Sequence, residues 1–434
     1  MNHAQVRSAD VVPEENNPYA KNLWVIGILF FVFGFVTWLG SVLIPYLKIT
    51  CQLTNASSYL VAFSFYISYL ILAVPSAVLL KKTGYKNGMV LGLILISIGT
   101  LLFIPAAYYR TFTLFLIGQF IQGSGLAILQ TAANPYVVKL GPIESAAKRI
   151  SLMGISNGIA GIIAPIALGT IILNDSDLQA LQSAANDLEK KALLLQEIAN
   201  KVMAPYAMMT VVLLFIAAYI YRVDLPEIAS EENEVVGPTE TSKTSILQFP
   251  HLLLGAVSLF LYVGVEVIAG DSIILFGASQ GIALSTAKFF TSFTLSGMLI
   301  GYLIGIILIP RYISQARALQ ISAFSGIVFC LLALVTEGKT SLSFIALLGL
   351  ANALIYPSIW PLALNGLGSF TKIGSSLLIM AIGGGAILPL IYGYLADQFS
   401  PHQGYWLVIP CYGFILYYAK YGHLLGNKFK IDAV

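Results

Sequence analysis

The stretch from Asn22 to Leu47 reads NLWVIGILFFVFGFVTWLGSVLIPYL and holds no charged side chain. About 20 mostly apolar residues carry a helix across the hydrocarbon core of a bilayer, and this run exceeds that length. It is too long for the apolar core of a secretion leader. The twenty or so residues before it are polar and mixed in charge, so no cleaved leader is expected. Working outward, similar runs follow at about 58–80, 89–108, 112–139, 150–173, 204–222, 250–277, 286–309, 318–336, 341–366, 373–396 and 404–424. Lipid satisfies no backbone polar group, so each run is read as a helix, numbered 1 to 12. The whole chain has 434 residues, 58% hydrophobic and 10% charged, with a mean hydropathy of +0.84. Soluble domains average about 25% charged. The expectation is an all-α membrane protein.

Two segments interrupt the rhythm. Residues 174–203 carry Asp175, Asp177, Asp187, Glu189 and Glu197 among Leu and Ala, which reads as a short amphipathic excursion outside the membrane. Residues 223–249 are acidic and polar, with Gly237 and Pro238, which reads as a flexible linker. The linker divides the helices six and six. The expected organisation is a polar N-terminus (1–21), a first half (22–222), the linker (223–249), a second half (250–424) and a tail (425–434). Lys81, Lys82, Lys86, Lys148, Arg149, Arg222, Arg311, Arg317, Lys372 and Lys420 fall on one side of this plan, and fewer basic residues on the other. The basic side is cytoplasmic, so both termini are expected there. This arrangement resembles the major facilitator plan, in which two halves rock about a site near the midplane.

Polar side chains at membrane depth usually face a cavity or a partner. Helix 4 carries Gln119, Gln122, Gln130 and Asn134 close to one face. Amides donate and accept at once, as sugar hydroxyls require; the competing role is interhelical bonding. Helix 1 offers Thr37, Trp38 and Ser41 beside Gly34, with Trp38 able to stack on a sugar ring or simply to pack. Helix 5 offers Ser151 and Asn157. Helix 10 offers Asn352, Tyr356 and Trp360, four apart on one stripe. In helix 7, Tyr262 stands one turn from Glu266, inside the run Leu261-Tyr262-Val263-Gly264-Val265-Glu266-Val267-Ile268. A carboxyl group there must be protonated, paired or bound to a cation, and no Lys or Arg is read at that depth. A proton, Na+ or a sugar hydroxyl is its expected partner. Asp271, nearer the outer end of helix 7, is the second candidate and is read there as wet. Gly297, Gly301 and Gly305 form a small-residue stripe on helix 8, and Gly383, Gly384 and Gly385 precede Pro389 in helix 11. These read as packing and gating positions.

Several of these segments resemble one family. Gln130-Thr131-Ala132-Ala133-Asn134-Pro135-Tyr136-Val137 with Leu140-Gly141-Pro142, Asn352-Ala353-Leu354-Ile355-Tyr356-Pro357-Ser358-Ile359, and Ile382-Gly383-Gly384-Gly385-Ala386 resemble the helix 4, 10 and 11 signatures of the fucose–galactose–glucose:cation symporters. Lys81-Lys82-Thr83-Gly84-Tyr85-Lys86 resembles a degenerate form of the superfamily's loop between helices 2 and 3. Tyr262 to Val267 is similar to the glucose/galactose branch. The proton-coupled fucose branch carries a Glu where Gln130 stands and an Asn-Asp pair where Gly40-Ser41 stand, that Asp being tied to coupling. The family's helix 5 usually has a Gln at Gly154 and keeps Asn157. The resemblance implies a hexose symporter of the bacterial cytoplasmic (inner) membrane. Gln130, Asn134, Asn157, Trp38, Asn352, Tyr356, Trp360 and Tyr262 would meet the sugar. Glu266 and Asp271 would couple to a cation. The neutral Gln130 favours Na+ over H+.

The competing expectations are an uncoupled or proton-coupled carrier of a fucose-like sugar or small polar solute, and an exporter of lipophilic compounds. An enzyme is not expected: there is no HExxH, Ile268 breaks any GxGD motif at Asp271, and the four histidines are scattered. A net charge of +3 without a basic cluster speaks against nucleic acid. No cofactor is expected beyond a coupling ion, and no partner beyond sugar and lipid; the protein is expected to be a monomer.

Overall fold

The computed structural model describes residues 18–139, 146–172, 174–225, 245–309 and 311–426. Among them there are helices and no strands. The expected N-terminal segment, linker and tail fall largely outside the described residues, as does Leu140-Gly141-Pro142 of the helix 4 signature.

Ten stretches are long and apolar enough to cross a membrane. One of them, Leu60–Tyr108, has 49 residues, about twice the length a crossing needs. It reverses at Gly84, whose φ of 77° is one that side chains other than glycine rarely adopt. After the reversal Gly88 lies against Leu80. Both arms then meet helix 4 within a few residues of each other, Phe65 and Ser68 at Gly123 and Gly92 at Gly125. The arms are therefore helices 2 and 3, joined by a glycine rather than by a loop. Pro401–Gly404, Tyr405–Leu407 and Val408–Lys420 run on as helix 12. Counted so, the described residues hold twelve crossing helices.

Helix 1 is Pro18–Trp38 with Gly40–Thr50, helix 4 Phe112–Lys139, helix 5 Ala146–Ile172 and helix 6 Met203–Arg222. Helix 7 is Pro250–Asp271 with Ile273–Ser279, helix 8 Leu284–Leu308, helix 9 Gln315–Val335, helix 10 Gly338–Asn352 with Ile355–Leu364, and helix 11 Thr371–Ala381 with Gly384–Gln398. The excursion forms two short helices, Asp175–Ser183 and Leu188–Asn200. The interruption of helix 10 has a local cause. Proline has no N–H for the carbonyl four residues back and its ring crowds that carbonyl. Pro357 therefore disturbs Ala353, where the helix breaks.

Lipid gives no hydrophobic drive between helices, so close packing of small residues has to hold them together. Gly92 and Gly99 of helix 3 sit against Gly125 and Gly118 of helix 4, with a Cβ at Gly92 2.8 Å from the Gly125 carbonyl oxygen. On helix 8, Gly297, Gly301 and Gly305 meet Leu350, Ala353 and Leu354 of helix 10. Gly384 lies on the Phe260 carbonyl of helix 7, and Gly385 on the Tyr66 ring of helix 2.

The two halves touch along helices 1 and 7, 2 and 11, and 5 and 8. The far end is the one where helices 1, 3 and 5 finish, and the near end the one where they start. Along helix 5 a Cβ would meet helix 8 at Gly169 (Lys288, 3.4 Å), Gly161 (Leu295, 3.3 Å) and Gly158 (Leu299, 3.3 Å), and nothing within 4 Å at Gly154, one turn nearer the near end. Between helices 5 and 8 the far end is shut, and space opens at Gly154 toward the near end.

Candidate transport site

The space between the halves is walled by helices 1, 2, 4, 7 and 10. Helix 7 contributes its two carboxylates. Glu266 is half-buried and has Tyr66, Tyr262, Tyr302, Tyr356 and Tyr412 as electrostatic neighbours. Asp271 differs from the wet residue expected at the end of helix 7. It is 3% exposed, and its Oδ1 has no hydrogen-bond partner. The halves close over it, and Gly40 of helix 1 leaves it room: a Cβ there would lie 3.2 Å from Asp271 Oδ2. Asp271, Thr37, Gly40, Gln119 and Tyr66 line one small cavity, with room for about one water molecule.

Helix 10 contributes an aromatic face. Tyr356 and Trp360 stack at 5.6 Å and 24°, and Tyr262 tilts toward Tyr356 at 6.3 Å. The Tyr262 hydroxyl is buried, with the Glu266 carboxyl one turn on as its polar neighbour. Asn352, expected on the same stripe, is 1% exposed and accepts a hydrogen bond from Tyr412 of helix 12 at 2.7 Å. The break at Ala353 turns it away from the line of Tyr356 and Trp360, and it ties two helices together.

Helix 4 separates its amides. Gln119 reaches the cavity and Gln130 is half-buried. Gln122 instead lies against Gly99 of helix 3, its Nε2 buried without a partner. The side chain of Asn134 lies outside the described residues. So does that of Ser151, while Asn157 is half-buried with its backbone against Gly34. Trp38 is 7% exposed and wedged against Gly161 of helix 5 and Gly270 of helix 7, in a cluster with Leu295, Met298 and Ala353. Its ring is a knob between the halves rather than a free stacking surface. Ser41 donates to the Trp38 carbonyl at 2.8 Å. Lys288 is buried at the far end with its Nζ donating to the Gly169 carbonyl.

The sequence reading missed Tyr66 and Tyr69 of helix 2, stacked at 6.3 Å and 27° opposite helix 10. Tyr69 has Tyr356 as an electrostatic neighbour across the space. The signal was present as Tyr59, Tyr66 and Tyr69, seven and three apart on one helical face. No three His, Cys, Asp or Glu among the described residues are grouped to hold a metal ion. The arrangement can bind a small polar solute between amides and aromatic rings, next to carboxylates that, among the described residues, no Lys or Arg is shown to pair with.

Residues 26–372 match the model of the Major Facilitator Superfamily. The chain belongs to that superfamily. Within it, the chain falls among the fucose–galactose–glucose:cation symporters, as the helix 4, 10 and 11 signatures implied. It is 36% identical to a glucose/galactose transporter of Brucella abortus, over 94% of this chain and 95% of the relative. It is 31% identical to a putative glucose/galactose transporter of Helicobacter pylori, over 91% and 95%. An L-fucose-proton symporter of Escherichia coli is 29% identical over 90% of both chains. Among solved structures, the superfamily transporter FucP in the outward conformation superposes with a TM-score of 0.70 at 27% identity, covering 93% of this chain and 99% of that one. The protein is a multi-pass membrane transporter and not an enzyme.

Proposed function

We propose that this transporter imports a hexose of the glucose or galactose type together with a monovalent cation, by alternating access, as a monomer in the bacterial cytoplasmic membrane. In this reading the near end faces the cytoplasm. One observation carries it: Gln119 of helix 4 shares a cavity with Asp271 of helix 7, in a space that also holds the aromatic face of Tyr262, Tyr356 and Trp360. A hexose offers both walls what they need. Its hydroxyls pair with Gln119, Gln130 and Asn134, and its C–H face covers Tyr356 and Trp360. Asn157 and Tyr262 complete the sugar site. The similarity to glucose/galactose transporters supports the substrate class.

Glu266 and Asp271 supply the coupling. A bare carboxylate enclosed between two apolar halves is costly, so a cation bound beside it favours the closed, switching state. Sugar and cation each raise the other's affinity by the same factor. Neutral Gln130 on helix 4 favours Na+. A proton is the second reading, favoured by Asp271: its Oδ1 is unpartnered, and its described polar neighbours include Thr37, Gln119, Tyr66 and Tyr59, none of them cationic. Uptake of labelled glucose, galactose, fucose and mannose into proteoliposomes, under Na+ and pH gradients imposed separately, tests both readings. Glucose or galactose accumulation driven by the Na+ gradient is expected. Drive by the pH gradient alone would select the proton, and equilibration without accumulation would remove coupling.

A further inference from the structure

The shut far end is held by two carboxylates that cross between the halves in opposite directions. Asp397, in the last turn of helix 11, accepts the backbone N–H of Asn55 through Oδ1 and of Ala56 through Oδ2, each at 2.8 Å. These N–H groups open helix 2, which stays helical through Tyr59 into Leu60–Leu101. Thr54 supplies the local cap, accepting from the Ser57 N–H at 3.1 Å. Asp175, just past helix 5, accepts the Ser285 N–H at 3.2 Å and the Ser285 hydroxyl. Ser285 opens helix 8, whose own cap position is Ala283, a residue with no acceptor. Helices 5 and 11 are the fifth of each half, and helices 2 and 8 the second. Each half's fifth helix thus delivers an aspartate to the start of the other half's second helix. A lysine of the receiving half stands near each carboxylate, Lys48 for Asp397 and Lys288 for Asp175. Lys48 also donates to Asn55 Oδ1.

The first N–H groups of a helix have no intrahelical acceptor. Here the acceptor is borrowed from the other half, so it is present only while the far end is shut. Rocking about the midplane to close the near end, open at Gly154, has to draw both carboxylates off their helix starts. We propose that Asp175 and Asp397 form a two-fold outer latch that sets the balance between the two facing states. The inference rests on alternating access, which the proposed function also uses, and not on the identity of sugar or ion.

The test reads conformation without transport. Two single-cysteine reporters are placed in a Cys51→Ser background, where Cys330 and Cys411 remain buried. Ala62→Cys lies in the cavity behind the latch, at 4% exposure. Gly154→Cys lies on the near side of helix 5, where there is open space. A membrane-impermeant thiol reagent is applied to each face of sealed vesicles. Losing one helix cap shifts an equilibrium on the order of five-fold. Asp397→Ala and Asp175→Ala are each expected to speed labelling of Ala62→Cys about that much and to slow labelling of Gly154→Cys. The double variant should exceed either. Asp397→Asn, which keeps one acceptor oxygen, should fall between, and it decides alone if the alanine variants fail to reach the membrane. Unchanged rates at both reporters would overturn the latch. So would faster labelling at both, which marks a loosened fold. Absence of glucose or galactose uptake by the parent protein, with these opposite shifts intact in the variants, would count against the proposed substrate and leave the latch standing.

Discussion

The two walls of the central space are chemically unlike. The wall from the first half is amide and hydroxyl: Gln119 and Thr37 share a cavity, with Gln130 on the same helix as Gln119. The wall from the second half is aromatic and acidic: Tyr262, Tyr356 and Trp360 lie beside Glu266, with Asp271 above. Neither wall alone can hold a sugar. One offers hydrogen bonds without a platform, the other a platform beside an uncompensated charge. Full binding energy is available only when the halves approach, and that is what ties ligand to conformation.

The comparison can be broken first on the acidic side. Glu266→Gln is expected to abolish accumulation while leaving sugar counterflow within a few-fold of the parent; gradient-driven uptake by that variant would remove Glu266 from coupling. The platform comes next. Trp360→Ala should weaken sugar binding by about tenfold or more, through the loss of roughly 1–2 kcal/mol of stacking contact, read as half-saturation in counterflow. On the amide side, Gln119→Ala and Gln130→Ala should each weaken binding by about five- to tenfold, the worth of a hydrogen bond at about 1 kcal/mol. An effect at Gln130 alone would move the sugar toward the near end. Asn352→Ala should leave half-saturation unchanged and instead lower thermal stability by about 1–3 kcal/mol, because the Tyr412 hydroxyl loses its buried acceptor. The smallest effect is expected of Gly40→Ala. The added methyl crowds Asp271 Oδ2 at 3.2 Å, which should alter the ion dependence of uptake and leave counterflow within about twofold.

Much of this was legible before any tertiary contact. The apolar runs required helices because lipid leaves a backbone no alternative, and the helix 4, 10 and 11 signatures pointed to the right relatives. Helical spacing put Tyr356 and Trp360 on one face, and there they stack. The same spacing misled at Asn352, because it assumed an unbroken helix through Ala353, and Pro357 breaks it. It was silent on Gln122, since periodicity says that residues share a face but not which neighbour the face meets. Asp271 looked wet because position near a helix end was its only sequence clue; the opposing half covers it.

The sequence by itself determined an all-helical membrane protein in two halves, its family, and the two acidic positions in helix 7. Those follow from local rules: the length of a crossing, the bonding of a backbone in lipid, and the cost of a charge at depth. Only the tertiary structure decided that Asp271 is enclosed, that Trp38 is a wedge, and that Asp175 and Asp397 reach across to cap helices of the opposite half. A cap within one helix is written a few residues from its target. These caps join positions 110 and more residues apart, so they exist only once the two halves have met.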